Sequence, residues 1–327
     1  MELRILTAAD IRRLLPMAAC VDLMERTMVT VSQGKAVLPL RNLMTMPGDI
    51  GMLGNMQGYI ADPGVFGVKL VSLFPRNAGT KYSSHLGLVL LFEPDHGCPI
   101  ALMDGAEITA IRTAAASGAA TRHLARADAK ILAVLGNGEQ ATKHIEAMLA
   151  VRPISEIQVW ARNADKAQSF AREQAKLHNV TAIPMATVAE AVKGADIICT
   201  TTHASEPILQ GGWVPDGCHL NVVGSSVPST AEIDTPLVAK SKFFVDYHVS
   251  TENQAGEYLR ALKEGAITPA HILAEIGEVI NGDKPGRQSD SDITLYKSLG
   301  ISAQDLTAGH YVFEKAKAQG VGQTATL

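Results

Sequence analysis

The run Ile131-Leu-Ala-Val-Leu-Gly136-Asn-Gly138-Glu-Gln-Ala141 constrains the fold more than any other stretch of this chain. An apolar segment breaks into Gly-x-Gly-x-x-Ala, the pattern of a strand that turns sharply into a helix. Gly136 permits the tight turn, Gly138 lets backbone approach a ligand with no Cβ in the way, and Ala141 lets the helix pack closely on the strand. Such a turn suits a dinucleotide pyrophosphate, held by the free N–H groups and positive end of the helix. A helical segment, Lys143 to Val151, follows. After Arg152-Pro153 a second strand, Ile157-Gln-Val-Trp160, arrives at βαβ spacing. A Rossmann-type domain is predicted.

The end of that second strand bears on which dinucleotide is preferred. An NAD site usually places Asp or Glu there for the ribose 2′-hydroxyl, whereas an NADP site places Arg near the 2′-phosphate. This chain reads Ala161-Arg162-Asn163, and Glu156 lies before the strand, at the wrong end. NADP(H) is therefore favoured, with NAD(H) possible. The competing reading makes Arg162 a solvated loop cation.

With 327 residues, 46% of them hydrophobic and 19% charged, the chain can bury two cores of ordinary size. A formal net charge of -4 gives no broad basic field for nucleic acid or an anionic membrane. The first residues carry no signal-peptide pattern, and no apolar run is long enough to span a bilayer. Cys20, Cys98, Cys199 and Cys218 form no Cys-x-x-Cys pair, so reduced thiols and a cytoplasmic location are expected. The histidines show no metal-binding spacing, and no metal is expected.

The segment from Leu6 to about Gly34 is patterned as helix, with Thr7-Ala-Ala-Asp10 as a cap. Strand patterns follow at Gly67–Phe74, Gly87–Phe92 and Pro99–Met103. A helix rich in small residues, Ile111 to Ala120, leads into the glycine turn. Beyond it the β and α patterns alternate: Val180–Ile183, a helix near Val188–Val192, Ala195–Cys199, His219–Val223 and Lys242–Asp246. That rhythm predicts an α/β fold, a doubly wound parallel sheet with helices on both faces, spanning residues 125–302. A second, α+β domain would comprise residues 1–124 and 303–327, with the last helix, Ala303 to Gly320, rejoining the N-terminal part.

Lys69 sits inside an apolar strand, where a charge is costly unless it meets an anion. Arg112 opens the small-residue helix, and Arg41 precedes another strand-like stretch. Three cations outside the Rossmann zone suggest a site for a small carboxylate; unrelated salt bridges are the alternative.

The series of motifs resembles the ornithine cyclodeaminase/mu-crystallin family over nearly the whole chain. The resemblance is carried by Lys69-Leu-Val-Ser-Leu-Phe-Pro75-Arg-Asn77, Ser84-His85-Leu-Gly87, Asp104-Gly-Ala-Glu-Ile-Thr109-Ala-Ile-Arg112, Gly136-Asn-Gly-Glu-Gln140, Ala195 to Thr202, Asn221-Val-Val-Gly-Ser225, Ser298-Leu-Gly300 and Gln304-Asp305. It implies a homodimer of two-domain subunits whose α+β domain binds substrate and dimerises, facing the Rossmann domain across a cleft. By the same resemblance Arg41, Lys69, Arg112 and Leu299 would contact the substrate. Gly136, Asn137, Gly138, Glu139, Gln140, Arg162, Thr202, Val223, Gly224 and Ser298 would surround the cofactor.

One departure narrows the activity. The resemblance leads us to expect Gly-Gly-Asp or Gly-Ala-Asp in cyclodeaminating members after the Asn-x-x-Gly strand, whereas this chain reads Gly224-Ser225-Ser226-Val-Pro228. Ser226 is the polar group left there, and Glu232 and Asp234 read as surface or capping residues. Leu53 to Tyr59 also lacks the glutamate expected beside an ornithine side chain. A carboxylate clamp, a hydride donor and no strong base fit NAD(P)H-dependent reduction of a cyclic imino acid such as Δ1-pyrroline-2-carboxylate or Δ1-piperideine-2-carboxylate. Arg112 and Lys69 would hold its carboxylate, while Lys69 or an ordered water protonates the nitrogen, with Ser226 beside the reacting centre. The competing activities are a lyase (ornithine cyclodeaminase or 3-hydroxyproline dehydratase), an alanine-type dehydrogenase and a non-catalytic binding role.

Overall fold

The structure, a computed structural model, describes residues 2–77, 80–82 and 85–326. Ser84, quoted above among the family motifs, lies outside the described residues. The chain is α/β and divides into two units, Met1–Arg112 with Ile301–Leu327, and Thr113–Gly300.

The first unit is built on a mixed sheet of β1 (Glu2–Leu6), β2 (Ala36–Val37), β3 (Asn42–Thr45), β4 (Met52–Ile60), β5 (Val65–Leu73), β6 (His85–Phe92), β7 (Pro99–Asp104) and β16 (Gln323–Thr326). The order is β16-β1-β7-β6-β5-β4-β2, with β3 also on β4; only β1 and β7 run parallel. Side chains alternate across the sheet. On β5, Val65, Gly67 and Lys69 are buried, on the face covered by the helix Ser302–Gln319. Gly67 admits that helix, because a Cβ there would strike the Leu90 carbonyl oxygen and crowd Leu306. Gly320, at φ +65°, stops the helix in the left-handed conformation.

The small-residue helix spans Gly105–Leu124, so Arg112 lies in its third turn and not at its start, which corrects the sequence reading. The helix begins earlier because the Asp104 carboxylate accepts a hydrogen bond from the Glu107 N–H at 2.8 Å, capping the chain directly after β7.

The second unit holds eight parallel strands: β8 (Ile131–Leu135), β9 (Glu156–Trp160), β10 (Thr181–Pro184), β11 (Ile197–Thr200), β12 (His219–Val222), β13 (Lys242–Val245), β14 (Ile272–Glu275) and β15 (Thr294–Lys297). Their order is β10-β9-β8-β11-β12-β15-β13-β14. The chain leaves β8 in one direction for β9 and β10, then returns beside β8 at β11. This reversal is the switch point at whose carboxyl edge open α/β sheets bind ligands. Strands β11, β12 and β15 are buried throughout, as sheets covered on both faces require. Strand β15, Thr294-Leu-Tyr-Lys297, is not legible in the sequence, because its polar ends mask a buried strand. Among the described residues no helix is long and apolar enough to cross a membrane.

Candidate active site

In the first unit the three cations predicted from sequence do not act alone. Lys69 is 3% exposed, with Nζ 3.1 Å from Asp305 Oδ1 and 3.2 Å from Thr109 Oγ1. Arg112 reaches the same oxygen, Nε to Oδ1 at 2.8 Å, and donates from Nη1 to Gln304 Oε1 at 2.7 Å. Thr109 and Arg112 share a helix face at i, i+3 spacing, and Gln304 and Asp305 come from the first turn of the C-terminal helix. Asp305 is fully buried, and its Oδ2 has no protein partner among the described residues. Burial pushes the Lys69 ammonium down to about 7; Arg112 pushes the same way, Asp305 opposes, and Arg41 adds a smaller repulsion. The choice between carboxylate clamp and salt bridges was too sharp, since one carboxylate ties two cations and brings them together. The sequence showed Asp305 within a motif but gave no sign that it meets Lys69.

In the second unit the predicted dinucleotide residues follow the carboxyl ends of adjacent parallel strands. Gly136 to Gln140 follow β8, Arg162 follows β9, Thr202 follows β11, Val223 and Gly224 follow β12, and Ser298 follows β15; Leu299, predicted as a substrate contact, is the next residue. Gly136 adopts φ +130°, and a Cβ there would lie 2.6 Å from Thr201 Oγ1, so only glycine makes the turn. A Cβ on Gly138 would meet nothing within 4 Å, and the helix Glu139–Val151 that it caps has no side-chain cap. Gln140 Oε1 and Ser298 Oγ are buried without protein partners among the described residues. An open cradle, uncapped N–H groups and two orphaned polar atoms fit a dinucleotide. Asn137, Asp165 and Lys166 line a cavity of about 310 Å³ beside the turn. Arg162 is exposed, and Asn163 caps the next helix by accepting from the Lys166 N–H at 2.9 Å. Asp165, an acid in that helix's first turn, lies beyond the strand end where the sequence pattern places the ribose-binding acid.

Glu232 is neither a surface nor a capping residue, which corrects the sequence reading. It is fully buried and accepts from Thr200 Oγ1 at 2.6 Å, Thr202 N and Oγ1 at 2.7 Å, and Gly224 N at 2.6 Å. It therefore braces the loops after β11 and β12, and burial pushes its carboxyl up against these bonds. Asp234 does cap a helix, accepting from the Leu237 N–H. Behind Glu232, its N–H donates to Glu257 Oε1 at 3.0 Å. Glu257 Oε2 lies 3.0 Å from Lys297 Nζ, which also donates to the Ser225 carbonyl at 2.6 Å and to Ser225 Oγ at 2.7 Å. Ser225 Oγ makes a short hydrogen bond to Glu257. Ser226 is half-buried, with no protein hydrogen bond among the described residues. The turn at Leu299 is held by Asp246, whose Oδ2 accepts the N–H groups of Leu299 at 2.8 Å and Gly300 at 2.7 Å. The bracing roles of Glu232, Glu257, Lys297 and Asp246 are not legible in the sequence, because nothing local distinguishes a buried brace from a surface charge. No group of three or more potential metal ligands forms among the described residues.

A glycine turn at the switch point of a parallel sheet defines a dinucleotide-binding α/β protein. The sequence profile of the ornithine cyclodeaminase/mu-crystallin family matches residues 1–320, and the chain belongs to that family. It is 33% identical to a Δ1-pyrroline-2-carboxylate reductase of Bacillus cereus, over 98% of both chains. It is 37% identical to the mouse (Mus musculus) ketimine reductase mu-crystallin over 86% of both. The structure of a Δ1-pyrroline-2-carboxylate reductase from Thermococcus litoralis, in complex with NADH and L-proline, superimposes with a TM-score of 0.94 at 37% identity, covering 98% of this chain and 99% of that one.

Proposed function

We propose that this chain reduces a small cyclic imino acid, Δ1-pyrroline-2-carboxylate or Δ1-piperideine-2-carboxylate, to the cyclic amino acid with a nicotinamide dinucleotide. It is an oxidoreductase acting on carbon–nitrogen bonds. The observation that carries the reading is the buried Lys69–Arg112–Asp305 cluster, in a chain similar over its length to a reductase whose structure holds NADH and proline. A guanidinium has five N–H donors, and Asp305 and Gln304 take two at Arg112, leaving others for a substrate carboxylate with Arg41. The dinucleotide, when bound, supplies the hydride that reduces the C=N bond at C2. Lys69 gives the ring nitrogen its proton and recovers one from solvent; a group titrating near neutrality suits that exchange. Positioning and electrostatics supply the rest of the rate. The first unit then serves substrate binding and dimerisation, and the second holds the dinucleotide.

The test mixes the purified protein with Δ1-pyrroline-2-carboxylate and NADPH or NADH and follows the reduced-nicotinamide absorbance. Oxidation only when the imine is present is expected; none with either cofactor overturns the reading. Pyruvate with ammonia tests the second reading, an amino-acid dehydrogenase, favoured by an alanine dehydrogenase of Archaeoglobus fulgidus that is 31% identical over 98% of both chains.

The preference proposed is for NADP(H), on Arg162 and the absence of an acid at the end of β9. Asp165 and the NADH-bound relative make NAD(H) the competitor. A hydrogen bond to a charged group is worth about 1.5–3 kcal/mol, so Arg162→Ala should lower kcat/KM for NADPH roughly 10- to 100-fold and leave NADH nearly unchanged. Equal losses with both would remove Arg162 from phosphate recognition.

The partner is a second copy of this chain. Met44, Leu53, Tyr59, Leu86 and Leu88 are all exposed. Register puts them on one side of the first unit's sheet, opposite the face that buries Lys69. Five exposed apolar side chains on one sheet face call for a cover, and Leu88→Lys should shift the sedimentation coefficient from dimer to monomer. A wild-type monomer would refute the assembly. The four cysteines are free thiols, three of them buried, which fits a reducing cytoplasm.

A further inference from the structure

We propose that Asp305 is a positioning residue, the internal counter-ion that keeps the Lys69 ammonium loaded with its proton and aimed at the reacting nitrogen. The inference rests on the imine-reductase reading and adds a role for a residue that need not touch the substrate.

Lys69 lies on β5 with Met56 directly across on β4 and Val89 directly across on β6, both apolar and buried. Its direct cross-strand neighbours therefore offer the ammonium no polar partner. What the packed helices supply is a neutral hydroxyl, Thr109 Oγ1, and one carboxylate oxygen, Asp305 Oδ1. Thr109 Oγ1 is itself committed as donor to the Gly105 carbonyl at 2.6 Å, so it faces Lys69 as an acceptor. The charged groups acting on Lys69 are Arg112 from the small-residue helix, Arg41 from the segment before β3, and Asp305 from the C-terminal helix. Two of the three favour loss of the proton, and Asp305 alone favours its retention. Burial also favours loss.

Asp305 is suited to this role by what it lacks. Both cations converge on Oδ1, and Oδ2 is buried with no protein partner among the described residues. A carboxylate with a purely structural task in a closed core would satisfy both oxygens. A single oxygen shared by Lys69 and Arg112 fixes the separation of proton donor and carboxylate clamp, so one residue sets both the charge and the aim of the acid.

The test compares wild type, Asp305→Asn and Asp305→Glu as full-length proteins, measuring kcat and kcat/KM for Δ1-pyrroline-2-carboxylate across pH. In parallel, the Lys69 side chain is titrated by NMR of carbon-13 lysine without substrate. A carboxylate beside an ammonium is worth about 1–3 pK units. Asp305→Asn should therefore move the alkaline limb and the Lys69 titration to lower pH by at least about one unit, a further tenfold loss at pH above the limb. Rate should be recovered on acidification. Asp305→Glu should keep the limb near its wild-type position while lowering kcat through misplacement. A uniform loss at every pH in Asp305→Asn with an unmoved Lys69 titration, or a displaced limb in Asp305→Glu, overturns the proposal. Failure of the reductase reading looks different: wild type then shows no turnover, while the Lys69 titration still reports whether Asp305 holds its proton.

Discussion

Lys69→Ala is expected to lower the rate of imine reduction by about 10²- to 10⁴-fold, the range a positioned general acid contributes. Dinucleotide binding, followed by quenching of protein fluorescence, should stay within a few-fold of wild type, because the glycine turn belongs to the other unit. The variant also leaves Arg112 as the remaining close cation on Asp305. Unchanged turnover would sink the role given to Lys69. The pH dependence follows from the same group: Lys69 titrates at about 7, and only its protonated form donates, so the rate of reduction should fall as pH rises through about 7. This alkaline limb should be absent from the residual activity of Lys69→Ala. The shift has a stability consequence as well. The folded-state value is about 7 against an ordinary 10.5, so between them the unfolded chain binds a proton that the folded one does not. Stability contributed by this site therefore rises with pH across that window and is lowest below it. Lys69→Ala should flatten the slope in a denaturation series over pH.

Lys297→Met should destabilise the second unit by about 3–5 kcal/mol, since removing one member of a buried ion pair strands the other. Lys297 and Glu257 are almost wholly excluded from solvent, and Nζ also satisfies the Ser225 carbonyl. A drop of roughly 6–20 °C in the unfolding midpoint is expected from 2–4 °C per kcal/mol. The double variant Lys297→Met with Glu257→Gln should recover part of it, because no bare charge then remains buried. Dinucleotide affinity should weaken in the single variant, as Ser225 and, through Glu257, Glu232 lose their anchor. An unchanged midpoint would show that the pair contributes nothing.

Local signals in the sequence determined a good part of this protein. The glycine turn marked the strand-to-helix junction at residue 136, because φ +130° excludes side chains and glycine is legible anywhere. The apolar runs marked β11 and β12 closely, because strands buried on both faces must be apolar throughout. Lys69 announced itself because a charge inside such a run needs a reason. What the tertiary structure decided was pairing between distant positions. Asp305 meets Lys69 across 236 residues of chain, and Glu232, which reads as an ordinary surface acid, becomes a brace once β11 and β12 lie side by side. Strand β15 inserts between β12 and β13, a position no local pattern predicts, and its Lys297 is buried because Glu257 and Ser225 arrive from elsewhere. Backbone conformation and burial leave marks in local sequence, since each residue must tolerate its own environment. The partner of a buried charge leaves none, because any carboxylate brought near by the fold will serve.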